Sequence, residues 1–173
     1  MSAKIDYANM SLQDALDLAI LIEEEARDRY SEFVDQMALH HTEEAARFFR
    51  EMIDNEAKHE MELKARRISL FGDAPSAVRR SMLWDVEAPD YDQTRAFMTA
   101  RQAMQVALRS EIKAYQFFEE ALPFIANEDV RALFQELREE ELYHQQLVNR
   151  ELGKLPADPD IDPGTFEDEP TAQ

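Results

Sequence analysis

The 173-residue sequence predicts an all-α protein built as an antiparallel four-helix bundle, with one long crossover between helices 2 and 3. Four long segments repeat an apolar residue alternately every three and four positions, which is the spacing of one face of a helix. Only three glycines occur, and no segment shows the β-branched alternation of a strand. Short turns join the first and last pairs of segments, and short turns make antiparallel neighbours.

Helix 1 is predicted to run from Leu12 to about Met37, because Ser11 and Asp14 resemble the start of a capping box. A helix of about 26 residues is roughly 39 Å long at 1.5 Å per residue. Its inward stripe consists of Leu12, Leu16, Ala19, Glu23, Ala26, Tyr30, Phe33 and Met37. Glu23 interrupts an otherwise apolar stripe, although Glu24 and Glu25 flank it and leave the register open by one residue.

Helix 2 is predicted to follow a short turn at residues 40–42, with Thr42 as its N-cap, and to end at about Phe71. Gly72 is a natural C-terminal stop, because glycine adopts the left-handed conformation that ends many helices. The inward stripe consists of Ala45, Phe49, Met52, Glu56, His59 and Leu63. A glutamate and a histidine three residues apart therefore lie on the inward face.

Residues 72–92 are predicted to form a linker, in which residues 76–83 form a short helix. Helix 3 is expected to run from about Gln93 to Leu122, and Pro123 to disturb its last turn. Its inward stripe consists of Phe97, Ala100, Met104, Ala107, Glu111, Ala114 and Phe118. This stripe also carries one glutamate.

Helix 4 is predicted to begin after the N-cap Asn127 and to end at about Leu152, before Gly153. Its inward stripe consists of Val130, Phe134, Leu137, Glu141, His144 and Val148. We predict that residues 1–155 form one bundle domain. Residues 156–173 contain four prolines, six acidic residues and no basic residue, so we expect a disordered acidic tail.

Composition excludes several functions. The chain has no cysteine, which excludes disulfides, thiolate zinc sites and cysteine-ligated iron–sulfur clusters, and fits the cytoplasmic location that we expect. The formal charge of −18 argues against nucleic acid as a partner, because binding it needs a basic footprint. Residues 1–10 lack the features of a signal peptide, and the apolar runs are too short to span a membrane.

The four stripes together place four glutamates and two histidines in the core, in the order Glu, Glu-x-x-His, Glu, Glu-x-x-His. One unpaired buried ion costs several kcal/mol, so four would offset roughly the whole net stability of a domain, about 5–15 kcal/mol. Two divalent cations would neutralise the four charges, and two neutral imidazoles would complete their coordination. Surface glutamates and histidines in a chance arrangement are the alternative, and the combined pattern disfavours it.

Residues three apart on a helix can reach one ion, so Glu-x-x-His forms a clip. A carboxylate can bridge two ions whereas an imidazole binds one, so we assign the bridging positions to Glu56 and Glu141. Glu23 with His59 would then complete one metal site. Glu111 with His144 would complete the other. Sites rich in carboxylates favour iron or manganese over metals that prefer soft ligands.

Four motifs carry a resemblance to a known family. They are Glu-Glu-Glu-Ala-Arg-Asp-Arg-Tyr at 23–30, Asn-Glu-Ala-Lys-His at 55–59, Ser-Glu at 110–111 followed by Tyr115, and Glu-Leu-Tyr-His at 141–144. Over residues 12–152 the chain resembles the ferritin-like di-iron superfamily, most closely its rubrerythrin-like branch. The resemblance implies two iron ions per site, cycling between Fe²⁺ and Fe³⁺, with manganese as the alternative metal.

Two departures from the family pattern bear on the expected function. Rubrerythrins usually carry a further glutamate three residues after the helix 3 ligand, where this chain has Ala114. The ligand exchange that accompanies their redox cycle is therefore not expected here. Classical rubrerythrins also carry a rubredoxin domain with four cysteines, and this sequence has none, so electrons must come from an external donor or from Fe²⁺ itself.

The resemblance implies a non-haem di-iron oxidoreductase that reacts with H₂O₂ or O₂, by peroxide reduction or ferroxidation, in defence against oxidative stress. An iron-storage or iron-delivery protein is the alternative. A di-iron oxygenase and a di-manganese catalase are further readings that we favour less. We expect a homo-oligomer; a dimer would favour the enzyme and a large hollow assembly would favour storage.

Two tyrosines are candidate supporting residues. Tyr30 lies on the helix 1 stripe seven residues after Glu23, and Tyr115 lies one turn after Glu111. Either hydroxyl is placed to hydrogen-bond a ligand carboxylate across the bundle. The equally weighted alternative is an ordinary core aromatic residue.

Overall fold

The computed structural model describes residues 5–39, 43–80 and 99–157. Within these ranges the chain forms four α-helices and no strand: α1 (Leu12–Leu39), α2 (Glu43–Phe71), α3 (Ala100–Ala121) and α4 (Glu128–Leu152). The predicted all-α four-helix bundle is confirmed. In the described part of the chain, no helix is both long and apolar enough to cross a membrane.

The helices pack as two pairs. α1 packs along α2 and α3 packs along α4, while the two pairs meet mainly where α1 contacts α4 and α3. The predicted long crossover joins α2 to α3, and so it connects one pair to the other. Each helix therefore presents an inward face both to its own partner and to the opposite pair, as the apolar stripes require.

The core is divided into two hydrophobic clusters. The first cluster includes Leu16, Phe118 and Phe134, and the second includes Phe33 and Phe49. Along each helix, the predicted polar residues of the stripe fall between the two clusters: Glu23 on α1, Glu56 and His59 on α2, Glu111 on α3, and Glu141 and His144 on α4. We call these six residues the polar layer.

Local sequence signals fix most helix ends. The Ser11 hydroxyl accepts a hydrogen bond from the Asp14 backbone N–H at 3.1 Å, and the Asn127 side chain caps α4 in the same way. Such caps typically contribute about 1 kcal/mol. Gly72 ends α2 with φ at +56°, a conformation that glycine adopts without steric cost.

Helix α3 begins later than the sequence predicted, at Ala100 rather than at about Gln93. Thr99 and Gln102 form a reciprocal capping box, because the Thr99 hydroxyl accepts from the Gln102 N–H and the Gln102 side chain accepts from the Thr99 N–H, both at 3.1 Å. At the other end, Pro123 lies in a short 3₁₀ helix, Leu122–Phe124, as expected.

Within the predicted short helix at 76–83, residues 76–79 are not helical, whereas Arg80 has a 3₁₀ conformation. Residues 81–83 lie outside the described residues, as do Thr42, Phe97 and residues 158–173 of the predicted tail. The division at residue 155 into a bundle and a disordered tail therefore stays a prediction.

Candidate metal centre

The six residues that were predicted from the sequence as metal ligands lie close together in the structure. Five of them are almost fully buried; the exposed fraction is 2–5 % for Glu23, Glu56, Glu111, Glu141 and His144. The His59 side chain is 17 % exposed. All four helices contribute, and both Glu-x-x-His pairs face the interior because residues three apart share a helix face.

Three groups of side chains have ligand atoms within 4.8 Å of one another, which is close enough to hold an ion: Glu56, His59 and His144; Glu111, Glu141 and His144; and Glu23, His59 and Glu140. Glu56 thus lies with both imidazoles. Glu111 and Glu141 lie on the His144 side, and Glu23 lies on the His59 side.

The two imidazole rings are nearly parallel, with 5.4 Å between their centroids and 9° between their planes. His144 Nδ1 lies 3.4 Å from Glu56 Oε1 and 3.3 Å from Glu111 Oε2. His59 Nδ1 lies 3.9 Å from Glu140 Oε2, which is too long for a hydrogen bond. Both Nδ1 atoms therefore face carboxylates.

Two buried ring nitrogens, His59 Nδ1 and His144 Nε2, have no hydrogen-bond partner among the residues that the structure describes. Buried polar groups are normally hydrogen-bonded, and a buried nitrogen without such a partner is explained if it binds an ion. Five carboxylates and two imidazoles held on rigid helices form a donor set that suits iron or manganese. The residues present therefore fit a pair of such ions.

The surroundings of Glu23 oppose ionisation of its carboxyl group. Burial raises the pKa of Glu23, and the charge of Glu111 raises it further, against a lowering contribution from a hydrogen bond with Glu56. Taking several like charges out of water is unfavourable unless cations compensate them. The layer is thus built to receive positive charge.

The pKa values of the two histidines are shifted in opposite directions. Burial lowers the pKa of His59, and the neighbouring His144 lowers it further, which favours the neutral form that binds metals. Burial also lowers the pKa of His144, but its hydrogen bond to Glu111 and nearby acidic charges outweigh this effect, so the net shift is upward. Both shifts follow from the groups that surround each ring.

The neighbours of Glu23 show which helix 1 glutamate faces the layer. Glu24 pairs with Lys64 at 2.8 Å, and Glu25 pairs with Arg80 at 3.2 Å. Both of these side chains are thus held by basic residues away from the interior, whereas Glu23 is buried among acids. This placement follows the register that the apolar stripe of helix 1 predicted.

Glu60 is a buried acid that the sequence analysis did not single out. It lies one turn after Glu56, is 7 % exposed and pairs with Arg27 and Lys64. It appears in none of the three ligand groups. The pair with Arg27 joins α1 to α2, whereas Lys64 lies one turn away on α2 itself.

Glu140 is a second acidic residue near the polar layer that was not among the predicted ligands. Its side chain is 33 % exposed, and burial raises its pKa to about 7, with further upward contributions from the charges of Glu23 and Glu136. Glu140 lies four residues before His144, a spacing that places two side chains together on a helix. That spacing is the sequence signal that was available.

Tyr30 and Tyr115 occupy different environments. Tyr30 is buried, and its ring stacks on Phe49 with 5.8 Å between centroids. Its hydroxyl has no hydrogen-bond partner within the described ranges. Tyr115 is half-buried on α3. Ala114 is fully buried on the same helix, so that position offers the layer only a methyl group.

A groove of about 560 Å³ opens from the polar layer to the surface, and His59, Glu136, Glu139, Glu140 and Tyr143 line it. Its lining is mostly contributed by α4, with His59 from α2. The groove gives small molecules and ions access to the His59 side of the layer. Three of the named lining residues are acidic, which favours the entry of cations.

Comparisons with known proteins agree with this arrangement. The family model described as Rubrerythrin matches residues 14–152, a range that contains all six residues of the polar layer. The crystal structure of an uncharacterized conserved protein from Magnetospirillum magnetotacticum MS-1 is similar, with a TM-score of 0.71 and 28 % sequence identity. The similarity covers 88 % of this chain and 100 % of that chain. A comparison with curated proteins finds no match.

Proposed function

The chain belongs to the rubrerythrin family, and on this premise we propose that it is a non-haem di-iron oxidoreductase that reacts with H₂O₂ or O₂. The observation that carries the proposal is the polar layer, in which four buried glutamates and two imidazoles converge from four helices. Such a donor set suits two ions that change between the Fe²⁺ and Fe³⁺ states.

The grouping of side chains supports a division of roles. Glu56 lies within reach of both imidazoles, which is the position that a bridging carboxylate needs. Glu23 would serve the ion on the His59 side, and Glu111 would serve the ion on the His144 side. We keep Glu141 as a second bridging candidate, although its group contains only His144 of the two histidines.

When bound, two Fe²⁺ ions supply the two electrons that convert H₂O₂ and two protons into two water molecules. The side chains of this chain hold the reactants, balance charge and control access. The hydrophobic clusters on either side of the polar layer exclude bulk water from it. The groove beside His59, with a volume of about 560 Å³, would give H₂O₂ or O₂ a path to the layer.

The electron donor is proposed to be external. None of the 173 residues is a cysteine, so they contain no cysteine-ligated iron that could pass electrons to the polar layer. A partner protein or Fe²⁺ itself would supply them. We also propose a homo-oligomer, with a dimer favoured, and a cytoplasmic location.

The acidic groove favours a second candidate function, in which Fe²⁺ is substrate or cargo rather than a resident cofactor. Acidic side chains at a groove mouth attract cations, and an iron-storage or iron-delivery protein needs such an entrance. Storage would also require a large hollow assembly. The mass of the native protein in solution separates the two functions, because a dimer contradicts storage.

The test of the proposed function is anaerobic loading with Fe²⁺ followed by stopped-flow mixing with H₂O₂ or with O₂. We expect two Fe²⁺ ions per chain and oxidation much faster than that of free Fe²⁺ at the same concentration. Glu24→Gln is the matched control, because Glu24 pairs with Lys64 outside the polar layer. Binding of fewer than two ions, or oxidation no faster than that of free Fe²⁺, would refute the proposal.

A further inference from the structure

We propose that Glu140 is a ligand of the ion on the His59 side, so that five carboxylates rather than four hold the metal pair. The inference rests on the proposed function, because it requires two bound ions. It concerns a residue that the family resemblance did not supply. It also gives the half-buried carboxylate of Glu140 a role in the site.

The geometry of the His59 side carries the inference. Ligand atoms of Glu23, His59 and Glu140 all lie within 4.8 Å of one another. Glu140 Oε2 and His59 Nδ1 are 3.9 Å apart. Two atoms that each bind one ion at roughly 2.1 Å lie at most roughly 4.2 Å apart, so this separation suits ligands on different sides of a single ion.

The balance of ligands between the two sides supports the same assignment. On the His144 side, two carboxylates besides Glu56 accompany the imidazole, namely Glu111 and Glu141. In the corresponding groups on the His59 side, Glu23 is the only carboxylate besides Glu56 and Glu140. With Glu140, each imidazole is accompanied by two carboxylates, and Glu56 lies with both imidazoles.

The surroundings of Glu140 supply no other cation within the described ranges. The nearest basic side chain there is His59, with Nδ1 at 3.9 Å from Glu140 Oε2, and its lowered pKa favours the neutral form. The nearby arginines have other partners, since Arg66 pairs with Glu136 at 3.2 Å and Arg138 pairs with Glu119 at 2.6 Å. A carboxylate that is two-thirds buried beside other acids is unfavourable unless a positive charge lies close to it. A metal ion on the His59 side provides that charge.

The buried nitrogen of His59 is the second, independent observation. His59 Nδ1 has no hydrogen-bond partner among the described residues, and it is oriented towards the Glu140 carboxylate. An ion between the two groups would satisfy both of them. The groove that Glu140 and His59 line gives this ion a path from the surface.

The test compares Glu140→Gln with Glu139→Gln in anaerobic titrations with Co²⁺, followed by calorimetry and by visible absorption. Both variants remove one charge from the lining of the same groove, but Glu139 is exposed and belongs to no ligand group. We expect Glu140→Gln to weaken one of the two binding events by at least about tenfold, since even the outer partners of ligands contribute roughly 10–100-fold. Its Co²⁺ spectrum should also change, whereas Glu139→Gln should match the wild type.

Glu140→Asp separates ligation from charge, because it keeps the charge on a side chain that is one methylene shorter. A ligand role predicts weakened binding and an altered Co²⁺ spectrum for this variant too. The inference would be overturned if Glu140→Gln behaved like the wild type, or if Glu139→Gln weakened binding equally. In either case the proposed function would still stand, provided that the wild-type protein bound two ions. A wild-type protein that bound no pair of ions would overturn both.

Discussion

His59 and His144 stack in parallel across the bundle, 5.4 Å apart between ring centroids, although they belong to helices of different pairs. Each is the last residue of a Glu-x-x-His clip, so their stacking shows that the two clips face each other. Glu56 lies within reach of both rings. This relationship supports the proposed pair of ions at the centre of the layer.

Glu56→Ala is expected to abolish binding of both ions, because a bridging carboxylate serves both. Iron content per chain after anaerobic loading measures the effect. Glu24→Gln should retain two ions per chain, since Glu24 pairs with Lys64. Two ions per chain in Glu56→Ala would show that Glu56 does not bridge.

Glu23→Leu is expected to stabilise the metal-free protein while it weakens metal binding. Glu23 is 4 % exposed, and its burial opposes ionisation. Replacement of buried ionic groups by apolar ones of similar volume often stabilises a protein, by about 1–4 kcal/mol. Urea unfolding in the presence of EDTA measures the change. A metal-free variant less stable than the metal-free wild type would argue that Glu23 contributes to the fold itself.

Metal removal is expected to lower the melting temperature without loss of helix. An ion that binds only the native state stabilises it by about 2.7 kcal/mol at a concentration of 100 Kd. Circular dichroism with Mn²⁺ and with EDTA measures both helicity and melting. The apolar clusters on either side of the layer should preserve the bundle in EDTA. Collapse of the helical signal at room temperature would contradict this expectation.

Tyr30→Phe is expected to leave the metal-free protein at least as stable as the wild type. The hydroxyl of Tyr30 is buried without a hydrogen-bond partner among the described residues, and an unsatisfied buried group costs about 1–3 kcal/mol. The ring itself, which stacks on Phe49, is retained. Thermal unfolding in EDTA measures the stability.

Metal titration of the same variant decides between the two roles considered for Tyr30. If the hydroxyl bonds a ligand carboxylate in the loaded protein, Tyr30→Phe will bind metal more weakly. Unchanged affinity would identify Tyr30 as an ordinary core aromatic residue. Phe49→Leu is a suitable comparison, because it perturbs the same cluster without touching the hydroxyl.

The sequence predicted best what depends on neighbouring residues along the chain. Helix ends depend on hydrogen bonds and dihedral angles within one turn, and three of them were predicted correctly. α1 and α4 begin after the N-caps Ser11 and Asn127, and α2 ends before Gly72. The start of α3 was predicted too early, because apolar Phe97 continued the stripe and the capping box at Thr99 was overlooked.

The site was harder to predict where it depends on packing between helices. The apolar stripe predicts one inward position per turn, and on helix 4 that position is Glu141. Glu140 was not predicted, because adjacent residues point about 100° apart around a helix. Only the approach of His59 on α2 gives Glu140 a partner. The spacing of four residues between Glu140 and His144 was the only local signal, and the contact with His59 on another helix could not be predicted from it.

The division of the apolar core has a consequence for how the protein is assembled. Each helix contributes apolar side chains to a cluster on both sides of its charged middle, so we expect the bundle to fold without bound metal. We therefore expect the newly made chain to fold first and to acquire the proposed ions afterwards, through the opening beside His59.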